Sequence, residues 1–113
     1  MSGPDPEEAR QRLLALKAEL QAIEAAAAEG RATVELDQTR VGRVSRIDAL
    51  QAQQMALATE RRRHAEVGKI DAALARIEAG EYGYCVTCDE PIDGRRLMQD
   101  PAAPLCIDCA RRA

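Results

Sequence analysis

The sequence predicts a mainly α-helical protein, in which a long antiparallel coiled-coil hairpin is joined to a small C-terminal module containing four cysteines. Ala, Glu, Arg, Gln and Leu dominate the first two thirds of the 113 residues, a composition typical of long helices. Apolar residues recur there in steps of three and four, the period of a helix seam. All four cysteines come later. We therefore predict two domains, the hairpin at residues 1–80 and the module at 81–113.

The start of the first helix is marked by Asp5-Pro6-Glu7-Glu8, with Asp5 as N-cap and Pro6 at the first helical position. Gly30 supplies a residue that readily adopts the left-handed conformation of a helix end. We therefore predict the first helix at about 6–29. Its seam spans two heptads of a coiled coil and consists of Leu13, Leu16, Leu20, Ile23 and Ala27.

A second helix start is indicated by Ser45 as N-cap and Asp48 as its capping-box partner three residues later. Gly80 is the corresponding stop. We predict the second helix at about 46–79 and a connecting tip, hereafter the tip, at about 30–45. Two helices that each carry one narrow apolar stripe must bury it on each other or on a second chain. This requirement predicts the antiparallel hairpin.

The seam of the second helix is apolar near both ends and polar in the middle. The polar break is Glu60-Arg61-Arg62-Arg63-His64, which contains the only histidine of the chain. We expect His64 to be a seam or surface residue, because four cysteines already complete a metal site. The apolar positions on either side of the break are Ile47, Leu50, Met55, Leu57, Val67, Ile70, Leu74 and Ile77.

The cysteines form two Cys-x-x-Cys pairs, Cys85 with Cys88 and Cys106 with Cys109, separated by 17 residues. This is the spacing of a closed tetrahedral site, because each pair offers two thiolates from one tight turn. The spacing predicts one structural Zn²⁺ held by all four residues, and thus a four-Cys zinc-finger module.

Three alternatives to zinc use the same cysteines. Two disulfides are less favoured because residues 1–10 do not have the pattern of a signal peptide, and we expect a cytoplasmic protein with reduced thiols. A redox Cys-x-x-Cys needs a thioredoxin-like strand–helix setting, which the pattern lacks. A rubredoxin-type iron site needs more apolar cover than two Tyr, no Trp and no Phe provide.

Charge and hydropathy exclude two classes of partner. The formal net charge is −3, and residues 81–113 carry 4 basic and 6 acidic side chains. Neutralisation of phosphates supplies most nonspecific affinity for DNA, so we expect no sequence-specific DNA binding. No apolar run approaches the roughly 20 residues that span a bilayer, so we expect no membrane insertion.

Four other side chains near the cysteines have more than one interpretation. Arg95 and Arg96 either brace the two Cys-x-x-Cys turns through backbone carbonyls or a helix end, or contact a partner. Tyr82 and Tyr84 are expected to pack the module where it joins the second helix. After the last cysteine pair, we expect one helical turn beginning at Cys106.

Residues 67–112 resemble the DksA/TraR C4-type zinc-finger proteins. The residues that carry this resemblance are Ala73-Leu74, Arg76-Ile77, Gly80, Tyr82-Gly83, Cys85, Cys88, Ile92, Arg96-Leu97, Pro101, Leu105-Cys106 and Cys109. Similarity to the short members of that family adds Asp37-Gln38, Gly42-Arg43, Ser45-Arg46 and Asp48-Ala49. The resemblance implies a coiled coil on a zinc-bearing base. It also implies that the coiled coil enters the secondary channel of bacterial RNA polymerase and modulates initiation, often together with ppGpp.

The tip departs from the best-known members of that family. Their acidic pattern Asp-x-x-Asp-x-Ala is missing between these helices, so we transfer neither the acidic-tip mechanism nor a ppGpp site. Asp48 has a simpler interpretation as a capping residue, and exposed arginines are ordinary on a solvated face. The candidate partner-binding residues at the tip are Asp37, Arg40, Arg43, Arg46, Asp48 and Ala49.

Two hypotheses follow. The leading one is a monomeric, non-enzymatic transcription regulator that binds bacterial RNA polymerase, with zinc in a structural role. The alternative is an adaptor whose coiled coil pairs with another protein or with itself, since polar seam residues select partners. An enzyme is disfavoured because a four-Cys zinc leaves no coordination position for water.

Overall fold

The computed structural model describes residues 4–37 and 43–113, without the side chains of 30–37 and 43–46. Within these ranges the only β-type pairing is an isolated bridge between Tyr84 and Pro91, and no helix has the length and apolarity needed to span a membrane. The predicted fold class, mainly α with a C-terminal four-Cys module, is confirmed. The helices are α1 (Pro6–Asp37), α2 (Arg43–Glu78), α3 (Gly94–Gln99) and α4 (Ile107–Arg112).

The predicted limits are accurate at the outer ends of the two long helices. α1 begins at Pro6, and the N–H of Ala9 donates to the carbonyl of Asp5 at 2.9 Å. α2 ends at Glu78, where Gly80 has a φ of 73°. The N–H of Gly80 donates to Ile77 and that of Glu81 donates to Arg76, which is the bond pair of a Schellman motif.

The predicted limits are wrong at the inner ends. α1 continues through Gly30 to Asp37, because one glycine costs a helix interior only about 1 kcal/mol and the residues around it favour the helix. α2 begins at Arg43, so Ser45 lies inside its first turn instead of at the N-cap. Arg43 is itself a good helix former and moves the start upstream. The predicted tip bounds of 30–45 are therefore wrong, and residues 38–42 lie outside the described residues.

The chain groups into two compact units. One consists of Met1–Lys17 with Val67–Ala113, and the other of Ala18–Glu66. Below they are called the base and the distal hairpin. The domain boundary that the sequence predicts at residue 80 stays a prediction.

In the base, the paired parts of α1 and α2 have a small apolar seam. Lys17 Nζ on α1 lies 2.8 Å from Asp71 Oδ1 on α2, so the two helices are in contact there. The buried seam residues are spaced by four on α1 and by three on α2, as the predicted stripes require: Ala9, Leu13, Ile70 and Ala73.

In the distal hairpin, the two helices are joined by an ion pair. Arg63 Nε and Nη2 on α2 donate to Glu24 Oε2 on α1 at 3.1 and 2.9 Å. Lys17 on α1 pairs with Asp71 on α2, whereas Glu24, later on α1, pairs with Arg63, earlier on α2. The two helices are therefore antiparallel. Large apolar side chains remain exposed in this unit: Ile23, Ile47, Leu50, Met55 and Leu57.

Candidate metal centre

The first pair of cysteines lies on a tight turn that the backbone closes on itself. The N–H of Cys85 donates to the carbonyl of Glu90 at 2.8 Å, and the N–H of Asp89 donates to the carbonyl of Cys85 at 3.0 Å. Asp89 adopts a left-handed conformation with a φ of 61°, which aspartate tolerates better than most residues. This turn directs the thiols of Cys85 and Cys88 to the same side.

The second pair lies at the start of α4. Cys106 is the N-cap, and its Sγ accepts from the N–H of Cys109 at 3.5 Å. The predicted helical turn after Cys106 is thus confirmed. Backbone pairing brings the two cysteine turns together, because the N–H of Val86 donates to the carbonyl of Pro104 at 2.9 Å.

A small apolar cluster supports the cysteines. It consists of Ile92, Leu97 and Ala103 together with the buried Cys85 and Cys109. Chains this small bury limited apolar surface, so a cluster of this size gains much of its stability from a bound metal.

The side chains around this cluster have distinct roles. Tyr82 packs on the cluster and its hydroxyl donates to the carbonyl of Pro101 at 2.8 Å. Tyr84 is 51% exposed, so the packing prediction is right for Tyr82 and wrong for Tyr84. Arg96 Nε donates to the carbonyl of Leu105 at 3.0 Å, which confirms for Arg96 the brace interpretation.

The helix α3 has no apolar periodicity that would predict it from the sequence, although its N-cap signal is present in the chain. Asp93 Oδ1 accepts from the N–H of Arg95 at 2.9 Å, and the Arg95 guanidinium also contacts this carboxylate. These bonds from the Arg95 side chain and backbone lower the pKa of Asp93. Because Asp followed by Gly is equally typical of a turn, the sequence does not distinguish this short helix from a loop.

The four sulfurs have the geometry of a tetrahedral zinc site. They all lie within 4.8 Å of one another, and Cys88 Sγ and Cys106 Sγ are 3.7 Å apart. Four sulfurs at the usual Zn–S distance of about 2.3 Å would be separated by about 3.8 Å. None of the cysteines forms a disulfide. The residues therefore fit one structural Zn²⁺, as predicted.

The thiol pKa values show why a cation is needed. Burial raises the pKa of Cys85, but hydrogen bonds from the backbone of Cys106, Cys88 and Thr87 outweigh it and lower the pKa to about 6. Hydrogen bonding to the thiols of Cys106 and Cys88, together with burial, raises the pKa of Cys109 to about 12. Four neighbouring thiols cannot all ionise by themselves. Bound Zn²⁺ supplies the positive charge that holds them as thiolates.

The structure leaves the predicted tip residues untested. Asp37 is the last residue of α1, and Arg43 and Arg46 lie in the first turn of α2, with side chains outside the described part. Arg40 lies outside the described residues altogether. The remaining two residues lie further along α2, where Asp48 is exposed and Ala49 is half-buried.

A comparison with known protein families supports the assignment of the metal centre. The sequence model of the prokaryotic dksA/traR C4-type zinc finger matches residues 80–113. The chain is 49% identical over 41 residues to the RNA polymerase-binding transcription factor DksA of Haemophilus influenzae, covering 36% of this chain and 28% of that protein. The protein of the same name from Caulobacter vibrioides is 41% identical over 56 residues, covering 50% and 39%. The match thus spans well under half the length of these curated relatives.

The structural comparison extends beyond the zinc module. The structure of transcription factor DksA2 from Pseudomonas aeruginosa is similar with a TM-score of 0.70 and 34% identity. The similarity covers 95% of this chain and 81% of that one, so it includes the long helices as well as the cysteines. The chain therefore belongs to the DksA/TraR family of C4-type zinc-finger proteins.

Proposed function

We propose that the protein is a bacterial transcription regulator that binds RNA polymerase through its helical hairpin, with the zinc module as a structural support. The observation that carries this proposal is the similarity to transcription factor DksA2 over 95% of the chain. The curated relatives that match the zinc region are named RNA polymerase-binding transcription factors. In this proposal the protein acts in the cytoplasm, where the polymerase is.

The chemistry of the base supports a role without catalysis. Four cysteines complete the tetrahedron of a zinc ion, so no coordination position remains for water or a substrate. The base has the apolar cluster and the backbone pairing of a folded support. We therefore assign the contact with polymerase to the distal hairpin.

The finer proposal concerns the tip. We propose that the hairpin end enters the secondary channel of the polymerase and changes initiation at selected promoters. Three arginines there would give the tip a positive charge, and guanidinium groups pair well with carboxylates or phosphates of a partner. The six proposed contact residues are Asp37, Arg40, Arg43, Arg46, Asp48 and Ala49.

A direct binding experiment tests the proposal. Zinc-loaded, fluorescently labelled protein is titrated with purified bacterial RNA polymerase at physiological salt, and anisotropy is measured. We expect saturable binding in the micromolar range or tighter, and a change in initiation in transcription reactions with several promoters. Absence of binding at polymerase concentrations of about 10 µM, a range in which specific complexes are normally detected, would contradict the proposal.

A second candidate function is an adaptor that pairs with another copy of itself or with a different protein. The observation that favours it is the exposure of Ile47, Leu50 and Met55, at 55, 59 and 72%. Several exposed large apolar side chains on one helix favour a protein partner. A tight dimer in native mass spectrometry, combined with no polymerase binding, would support the adaptor; a monomer that binds polymerase would exclude it.

A further inference from the structure

A second group of metal-ligating side chains lies in the distal hairpin. It consists of Glu24 on α1 with Glu60 and His64 on α2, whose ligand atoms all lie within 4.8 Å of one another. Among the described residues, this is the one such group besides the cysteines. We propose that it is a second site for a divalent transition metal, which links the two helices of the distal hairpin.

The spacing of the ligands on the helices supports the proposal. Glu60 and His64 are four residues apart on α2, so their side chains project from the same face one turn apart. Glu24 comes from the facing helix, at the level where the Arg63 contact joins α1 and α2. A metal bound by all three would therefore cross-link the hairpin, which no pair of residues on a single helix can do.

Arg63 orients the Glu24 carboxylate. Both of its hydrogen bonds end on Oε2 of Glu24, and the two side chains are only 14% and 25% exposed. A carboxylate has about four lone-pair sites, so it can accept from a guanidinium and ligate a metal at the same time. Hydrogen bonds of this outer kind fix the position of ligating side chains.

The break in the α2 seam is an independent observation from the sequence. The apolar stripe of α2 stops at Glu60 and resumes at Val67, and the only histidine of the chain lies in this gap. Polar residues in a coiled-coil seam lower stability. A metal that binds Glu24, Glu60 and His64 would offset that cost, in addition to the Arg63–Glu24 ion pair.

The ligand types indicate the class of metal. One imidazole with two carboxylates suits zinc, nickel, cobalt or copper better than calcium or magnesium, which prefer oxygen alone. Ligands at about 2.1 Å from a tetrahedral metal are about 3.4 Å apart. The ligand atoms lie within 4.8 Å of one another, and His64, the exposed member of the group, is the side chain least held by packing. Three protein ligands leave a position for water, so this ion exchanges faster than the zinc at the four cysteines.

The test uses the full chain with one equivalent of zinc bound. Titration with Ni²⁺ in a calorimeter should show one further equivalent, bound more weakly than the zinc. His64→Ala and Glu60→Gln should each reduce the affinity for that equivalent more than about tenfold, a typical effect of losing support at a metal site. Glu66→Gln, a change of the same kind at an exposed position of the same helix, should leave it unchanged.

A second readout uses the wild-type protein. The imidazole resonances of its single histidine should shift during titration of the zinc-loaded protein with additional Zn²⁺. For the variants above, circular dichroism should show unchanged helix content. The proposal is overturned if the zinc-loaded protein binds no further Ni²⁺ at about 1 mM, a weak limit for any specific site. It is equally overturned if His64→Ala binds as tightly as the wild type. Neither result depends on polymerase, so the proposed function is tested separately.

Discussion

The base and the distal hairpin differ sharply in how they bury their side chains. Every fully buried side chain of the described residues lies in the base, whereas residues 18–29 and 47–66 of the distal hairpin contain none. In the base, Leu97 is 4% exposed; in the distal hairpin, Leu50 is 59% exposed. The same type of apolar side chain is thus part of a core in the base and lies on the surface in the distal hairpin.

In the proposed function, this difference separates stability from binding. The base has a four-cysteine metal site, an apolar cluster and closed backbone turns, which are features that stabilise a small metal module. The distal hairpin has one narrow seam and exposed apolar residues, which is the composition expected of a surface that meets a partner. The following predictions test whether stability and binding divide in this way.

The largest expected effect is removal of a zinc ligand. Cys88→Ser should abolish zinc binding and destabilise the base by more than about 5 kcal/mol, because zinc binding is folding free energy in small metal modules. Metal analysis and urea unfolding measure the two effects. Thr87→Ser, between the same two cysteines, is the matched control and should keep one equivalent of zinc. Zinc retained by Cys88→Ser would disprove the assignment of this ligand.

A leucine pair compares the two units directly. Leu97→Ala should destabilise the protein by about 2–5 kcal/mol, the cost of a cavity in a packed core. Leu50→Ala, the same change at an exposed position, should cost less than about 0.5 kcal/mol. Chemical unfolding of both variants gives the two values, and similar losses at the two positions would show that the distal hairpin has a core of its own.

A smaller effect comes from Tyr82, which joins the start of the zinc module to Pro101. Tyr82→Phe should cost about 1 kcal/mol, because it leaves the Pro101 carbonyl without this hydrogen bond. Burial raises the pKa of Tyr82 despite the opposing charges of Arg12 and Arg76. The unfolded chain therefore releases this proton at lower pH than the folded chain, and stability falls as pH rises above about 10. Between about pH 9 and 11 the free energy of unfolding should therefore fall less for Tyr82→Phe than for the wild type. Equal falls for the two proteins would contradict this prediction.

The smallest predicted change is a gain at Asp89. Asp89→Gly should stabilise the base by up to about 1 kcal/mol, because glycine adopts the left-handed conformation without the steric cost of a Cβ. Asp89→Val should destabilise it, since a β-branched residue is strained at a φ of 61°. Thermal melting of both zinc-loaded variants measures the effect, and a lower melting temperature for the glycine variant would refute the strain argument.

The same contrast explains what the sequence could predict. The zinc site follows from four cysteines, because two tight Cys-x-x-Cys turns admit few other arrangements. The start at Pro6 and the stop at Gly80 are strong local signals, since one fixes φ and the other supplies a positive φ. Gly30 and Ser45 are weaker signals, and the helix propensity of their neighbours overrides them.

The group of Glu24, Glu60 and His64 could not be predicted from the sequence. Glu60 and His64 are related by their spacing on one helix. The position of Glu24 depends on the register between two helices, which the sequence does not give because the ends of the helices at the tip are not sharply marked. The break in the seam at these residues was the available signal. It indicates that something other than apolar packing occurs there, without giving the partner residue on α1.

The most direct test of the central claim compares two charge reversals on α2. Arg43→Glu with Arg46→Glu alters the proposed contact region, and Arg61→Glu with Arg62→Glu makes the same change in charge at exposed positions nearer the middle of the helix. Affinity for purified bacterial RNA polymerase is measured for both zinc-loaded variants. We predict that the first pair weakens binding at least about tenfold and the second less than about twofold, since charges at a contact change affinity far more than charges outside it. Equal losses for the two pairs, or no loss for the first, would contradict the claim that the hairpin end carries the function.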